Sequence, residues 1–157
     1  MLEAFGIVSP LGDTIIMATT TSRSGGSTQR RPLSRIWLNA LTGLVVALVA
    51  NAIIYFVGSA LGLFPNNIIT PAGVPLGLQE IIVVTTAGLL GAGIVFSILN
   101  YIVRRPDLWF AAIAIIVLVI SFTSPLMLPG APIGMIVLLE IMHIIAAASA
   151  IYFLTQR

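Results

Sequence analysis

The sequence predicts an all-α integral membrane protein: a bundle of four transmembrane helices running up-down-up-down, with both termini on the cytoplasmic side. Three observations predict it. Apolar residues make up 59% of the 157-residue chain and charged residues only 8%, whereas a soluble domain carries roughly 25% charged residues. The apolar residues gather in four segments, each near the roughly 20 residues that span a bilayer. When those segments are threaded as four spans, every arginine falls on one side.

Residues 1–35 precede the first segment. The stretch from Thr19 to Arg31 is rich in Thr, Ser, Gly and Arg, a composition that cannot bury a core, so a disordered cytoplasmic tail is expected there. Pro10, Gly12 and Asp13 break up the mildly apolar residues before it. Met17 opens Met-Ala-Thr-Thr-Thr, and translation is expected to begin at this methionine.

The transmembrane domain covers residues 36–157. Its helices are expected at about 36–58, 80–103, 108–128 and 133–154. A cleavable signal peptide is the rival reading of the first, but its apolar core exceeds the 7–15 residues of such signals. Phe64-Pro65-Asn66-Asn67 opens the first loop and Pro75-Leu76-Gly77 closes it. Arg104-Arg105-Pro106-Asp107 makes a tight second turn: Pro106 suits the first helical position and Asp107 its first turn. Pro129-Gly130-Ala131-Pro132 forms the third break. Trp37, Tyr101, Trp109, Phe110 and Tyr152 lie near predicted ends, where amphipathic rings sit at the membrane interface.

Orientation follows from charge. The net charge of +2 comes from seven arginines against five acids, with no lysine. Arg23, Arg30, Arg31 and Arg35 precede the first span, Arg104 and Arg105 join the second to the third, and Arg157 ends the chain. Positive residues stay inside, so Arg30, Arg31, Arg35, Arg104 and Arg105 are read as topology signals and no nucleic-acid partner is implied. Cysteine is absent, which removes disulfides and thiolate chemistry. Arg30-Arg31-Pro32 before Trp37 echoes Arg104-Arg105-Pro106 before Trp109. A duplicated hairpin is one reading of the echo; shared membrane punctuation is the other.

Polar residues inside a span are informative because lipid offers them no partners. Glu140 and His143 lie three residues apart, on one face of the fourth span, at depths of about 10 and 15 Å from its outer end. Ser121 and Ser124 on the third span, Asn51 and Tyr55 on the first, and Thr85 and Thr86 on the second reach a similar level. These eight residues form one expected polar cluster in the outer half of the bundle. Pro125 is expected to kink the third span. Gly88, Gly91 and Gly93, with Gly43 and Ala47, are expected to let helices pack closely. The cluster reads either as interhelical glue or as a small pocket opening outward.

Catalytic and metal chemistry finds little support. Glu140-Ile141-Met142-His143 has the Glu-x-x-His spacing of di-iron bundles, but those need two such motifs and two further glutamates, and the chain has one histidine. No metal site and no cofactor are predicted; His143 as an axial ligand to haem or a chlorophyll-type pigment is the residual reading. A Ser121 or Ser124 dyad with His143 lacks a Gly-x-Ser-x-Gly stretch and visible oxyanion donors. Transport is a further class, though four spans per chain are few for it.

Several stretches resemble a bacterial membrane family known as a domain of unknown function, number 6069. They are Arg30–Leu38, Arg104-Arg105-Pro106, Ser124–Pro129, and Met142-His143 with the alanine-rich run behind it. The resemblance covers about residues 30–157. It implies four helices in a bacterial cytoplasmic membrane and no assigned activity. The leading functional expectation is a non-enzymatic accessory or structural subunit in the lipid bilayer, packing against a membrane-protein partner or a second copy of itself. The alternative is a lipid-, quinone- or pigment-binding protein that uses the cluster around Glu140 and His143.

Overall fold

The computed structural model describes residues 30–156 apart from positions 66 and 72. The expected disorder and the Met17 start concern residues outside that range. Five helices follow in order: α1 Leu33–Ala60, α2 Leu78–Ile102, α3 Pro106–Ser121, the short α4 Thr123–Leu126, and α5 Ile133–Thr155. Four stretches are long and apolar enough to cross a membrane, with α3 and α4 together making the third. The chain is thus a four-helix membrane bundle with both described ends at one face.

Local chemistry sets the helix ends. Pro32 is extended and precedes the first residue of α1, so the helix starts three residues earlier than expected. At the other end, Gly62 adopts φ +71°, a left-handed conformation that glycine enters without a Cβ clash. Its N–H donates to Ser59 O, and Leu63 N–H donates to Gly58 O at 2.8 Å. This pair of bonds is a Schellman motif, which satisfies carbonyls the helix end would otherwise orphan. Pro106 takes the first position of α3, where a missing N–H costs nothing, and Asp107 its first turn.

The third span is interrupted at Phe122, three residues before the proline expected to kink it, although Phe122 keeps a helical backbone with φ −62° and ψ −21°. Pro125 has no N–H to give Ser121 O, and its ring crowds that carbonyl. The helix stops at Ser121 and restarts at Thr123. Two hydroxyls bond back to nearby carbonyls: Ser121 Oγ donates to Leu118 O and Thr123 Oγ1 to Ile120 O, both at 2.7 Å.

α1 packs mainly on α5 and α2, α3 packs on α5 and α2, and α1 and α3 do not touch. One core cluster, near the arginine face, joins Ile36, Ala40, Ala47, Leu89, Phe96, Phe110, Ala150 and Leu154. A second, toward the opposite face, joins Phe64, Ile68, Ile81, Leu128, Met135, Leu139 and Met142. Phe110 is the one buried residue of α3. That helix therefore lies mostly against lipid.

Small residues pack at some of the expected places. A Cβ on Gly93 would lie 3.3 Å from Ala40 Cβ and 3.4 Å from Trp37, and one on Gly43 would lie 3.2 Å from Phe153. Ala47 is fully buried. Gly88 and Gly91 are different: nothing lies within 4 Å of where their Cβ would be. The expectation that they pack helices together within the chain is corrected, because they face an opening.

Arg31 does more than mark topology. Its Nη2 pairs with Asp107 Oδ1 at 2.7 Å and donates to Thr155 O, while Nη1 donates to Leu154 O at 2.6 Å. A cation suits the C-terminal carbonyls of α5. The guanidinium carbon stands 5.3 Å from the Phe96 ring centre, within cation–π range. The Arg31 backbone also exchanges hydrogen bonds with the Asn100 amide. One residue thereby ties the approach to α1 to the ends of α2, α3 and α5. Arg105, its counterpart in the sequence echo, is exposed, so the two repeats sit in different surroundings.

Candidate functional site

An elongated cavity of about 690 Å³ runs along the bundle between α2 and α3. On α2 its lining extends from Glu80 to Val95, or roughly 22 Å at 1.5 Å per residue. Leu139, Met142, His143, Ala146, Ala147 and Ala150 of α5 also line it, with Asn51 of α1. Thr70, Pro71 and Leu76 from the α1–α2 loop line it at the end away from the arginines. That loop is held by an Ile69–Pro75 bridge and by Thr70 Oγ1 donating to Val74 O. Near the arginine face, Val95 and Phe110 line the cavity, and Phe110 meets Phe96 edge to face at 5.3 Å.

The side of the cavity is open. Val84 and Val117 line it and remain 51% and 57% exposed. Ala87 and Gly88 are likewise exposed lining residues. Small side chains on α2 and the sparse packing of α3 create the gap. The opening lies between two spanning helices, among their apolar residues.

Five of the eight residues of the expected cluster line this one cavity: Asn51, Thr85, Ser121, Ser124 and His143. Asn51 is only 2% exposed; its Nδ2 donates to Thr85 Oγ1 at 3.0 Å, and its Oδ1 is buried with no hydrogen-bond partner. His143 Nδ1 lies 2.7 Å from Leu139 O. A carbonyl only accepts, so Nδ1 donates to it, which leaves Nε2 as the ring nitrogen for a further partner. Ser121 already donates its hydroxyl to Leu118 O and keeps accepting capacity.

Three residues stand elsewhere, and the expectation of a single eight-residue cluster is corrected accordingly. The Tyr55 ring packs on Phe56 and Phe64, 5.7 and 5.1 Å between centres, within the cluster beneath the α1–α2 loop. Thr86 is half-buried and does not line the cavity. Glu140 stands three residues before His143 on α5, yet lies outside the lining. Both its carboxyl oxygens are buried without a hydrogen-bond partner.

Sequence reasoning missed Glu80 and Thr70, which stand at the loop end of the cavity. Glu80 had a legible signal, being a carboxylate in the first turn of α2. Among the described residues, the lining contains no arginine or lysine, and Glu80 is its one carboxylate. The site thus sets hydroxyl, amide and imidazole groups, with one carboxylate at the loop end, into a long and mostly apolar slot. No group of three or more metal-ligating side chains occurs among the described residues.

A family model described as a family of unknown function (DUF6069) matches residues 31–157. No curated protein and no solved structure matches the chain.

Proposed function

The chain belongs to the DUF6069 family of unknown function, and from its own geometry we propose that it is a non-enzymatic protein of a bacterial cytoplasmic membrane that binds a neutral amphiphile in the lateral cavity. The observation that carries this reading is the arrangement of the lining: Asn51, Thr85, Ser121, Ser124 and His143 line one slot whose other walls are mostly apolar, with Glu80 and Thr70 at its loop end. Ligand pockets commonly combine an apolar wall with a few placed polar groups, in volumes of about 300–1,000 Å³. The absence of basic side chains from the lining disfavours an anionic headgroup and favours a hydroxylated or carbonyl-bearing lipid of the quinone type. The arginine face is set inward by the positive-inside rule. A binding role suits the bonds the hydroxyl and imidazole make, since Ser121 and His143 each bond to their own helix backbone and not to each other.

A cavity-filling variant tests the proposal. A Cβ at Gly88 or Gly91 has nothing within 4 Å, and both glycines line the cavity, so Gly88→Leu with Gly91→Leu is expected to fill the slot with little disturbance of the packed helices. The pair should abolish retention of a co-purified amphiphile while the protein stays folded. Equal ligand retention by the variant and the native chain would refute cavity binding.

One observation favours a second reading, an accessory subunit. Gly88 and Gly91 present an open, small-residue face at membrane depth, where a partner helix or a second copy could approach closely. Under that reading the same double substitution breaks a complex instead of releasing a lipid.

A further inference from the structure

A second concavity lies at the opposite end of the bundle, on the arginine face. It measures about 1740 Å³ and is lined by three separate stretches of chain, within residues 30–39, 100–111 and 151–156. Arg30, Arg31, Arg35, Arg104 and Arg105 all line it, and among the described lining residues Asp107 is the only carboxylate. Asp107 is engaged by Arg31. Arg30 stacks over Tyr101 at 5.7 Å from the ring centre, which fixes its guanidinium at the rim. Arg35, Arg104 and Arg105 are exposed. Leu38, Ile102 and Leu108 line the same cleft and are exposed apolar residues.

We propose that this cleft binds the phosphodiester headgroup of an anionic phospholipid, with its acyl chains lying along Leu38, Ile102 and Leu108. Guanidinium groups meet phosphate oxygens through paired, charge-assisted hydrogen bonds. Basic pockets between transmembrane helices on the inner side are suited to such headgroups. Topology alone requires positive charge at this face, and lysine would serve it as well as arginine. It does not require arginines some seventy positions apart in sequence to converge on one cleft, beside apolar side chains that a lipid tail can cover. The site is independent of the lateral cavity, whose lining holds no cation.

The experiment is native mass spectrometry of the purified full-length chain in neutral detergent, titrated with phosphatidylglycerol, phosphatidylcholine or inorganic phosphate. The native chain should bind phosphatidylglycerol well ahead of phosphatidylcholine. Arg104→Gln with Arg105→Gln should weaken phosphatidylglycerol binding by about thirtyfold, from the typical contribution of two surface arginines. The matching pair of lysine substitutions should recover part of that loss, since charge returns without the paired hydrogen bonds. Both positions are exposed, so the fold persists in either variant. Equal binding of the two lipids by the native chain, or an undiminished preference in the glutamine variant, overturns the proposal. Displacement of the lipid by millimolar inorganic phosphate overturns the lipid as the source of the anion.

Discussion

Arg31 Nη2 and Asp107 Oδ1 stand 2.7 Å apart, although 76 positions separate the two residues in the chain. The pair joins the residues before α1 to the first turn of α3, and the same guanidinium holds the last carbonyls of α5. Arg31→Gln should therefore destabilise the bundle. Loss of a fully buried partner costs about 3–5 kcal/mol. The side chains here are 17% and 27% exposed, and screening reduces the expected loss to about 1–3 kcal/mol. Arg31→Lys should recover only part of it, since one ammonium cannot span three acceptors in this geometry. Thermal unfolding in detergent measures both.

The glycines of α2 should respond in opposite ways. Gly93→Leu drives a side chain into Ala40 and Trp37, and overpacking of this kind costs about 1–3 kcal/mol or more. Gly88→Leu meets open space. It also replaces a poor helix former, so stability should hold or rise by up to about 1 kcal/mol. Melting temperatures of the two variants, taken side by side, check the contrast.

At the loop end, Gly58→Ala should be costly. Its Cβ would fall 2.5 Å from Leu138 and 2.6 Å from Phe64, so both side chains must move, at about 1–3 kcal/mol. A folding assay that reports a loss of this size supports the tight contact of α1, α5 and the loop. An unchanged melting temperature contradicts it.

The Asn51–Thr85 bond is expected to contribute little to folding. Interhelical hydrogen bonds in membranes average about 0.6 kcal/mol. A double-mutant cycle of Asn51→Leu and Thr85→Val should give a coupling near that value. A coupling several times larger would assign the pair to bundle stability and weaken its role as part of a binding site.

Much of the fold is legible in the sequence, because a bilayer imposes length, apolarity and charge placement directly on residues. The four spans and the breaks between them follow from Phe64–Asn67, Pro106, the Pro129–Pro132 stretch and the arginines, while the start of α1 directly after Pro32 does not. The interruption at Phe122 agrees with a kink at Pro125, but its place along the helix is not legible, since it depends on how the freed Ser121 carbonyl is accommodated. Depth along a helix also points Asn51, Thr85, Ser121, Ser124 and His143 to one region, and all five line the same cavity, with Asn51 and Thr85 bonded to each other. Rotation about the helix axis is what misplaced Tyr55, Thr86 and Glu140: equal depth does not mean a shared face. Gly88 and Gly91 illustrate the same limit. A glycine admits a close neighbour, but whether one arrives is decided by how far α3 stands from α2.

The central claim is that the lateral cavity holds a neutral amphiphile, and the mass of the protein extracted gently from its own membranes tests it most directly. The account predicts a discrete excess mass from one bound neutral lipid or quinone-like molecule, absent from the Gly88→Leu, Gly91→Leu variant. A native chain that carries no such mass after gentle extraction would contradict the claim.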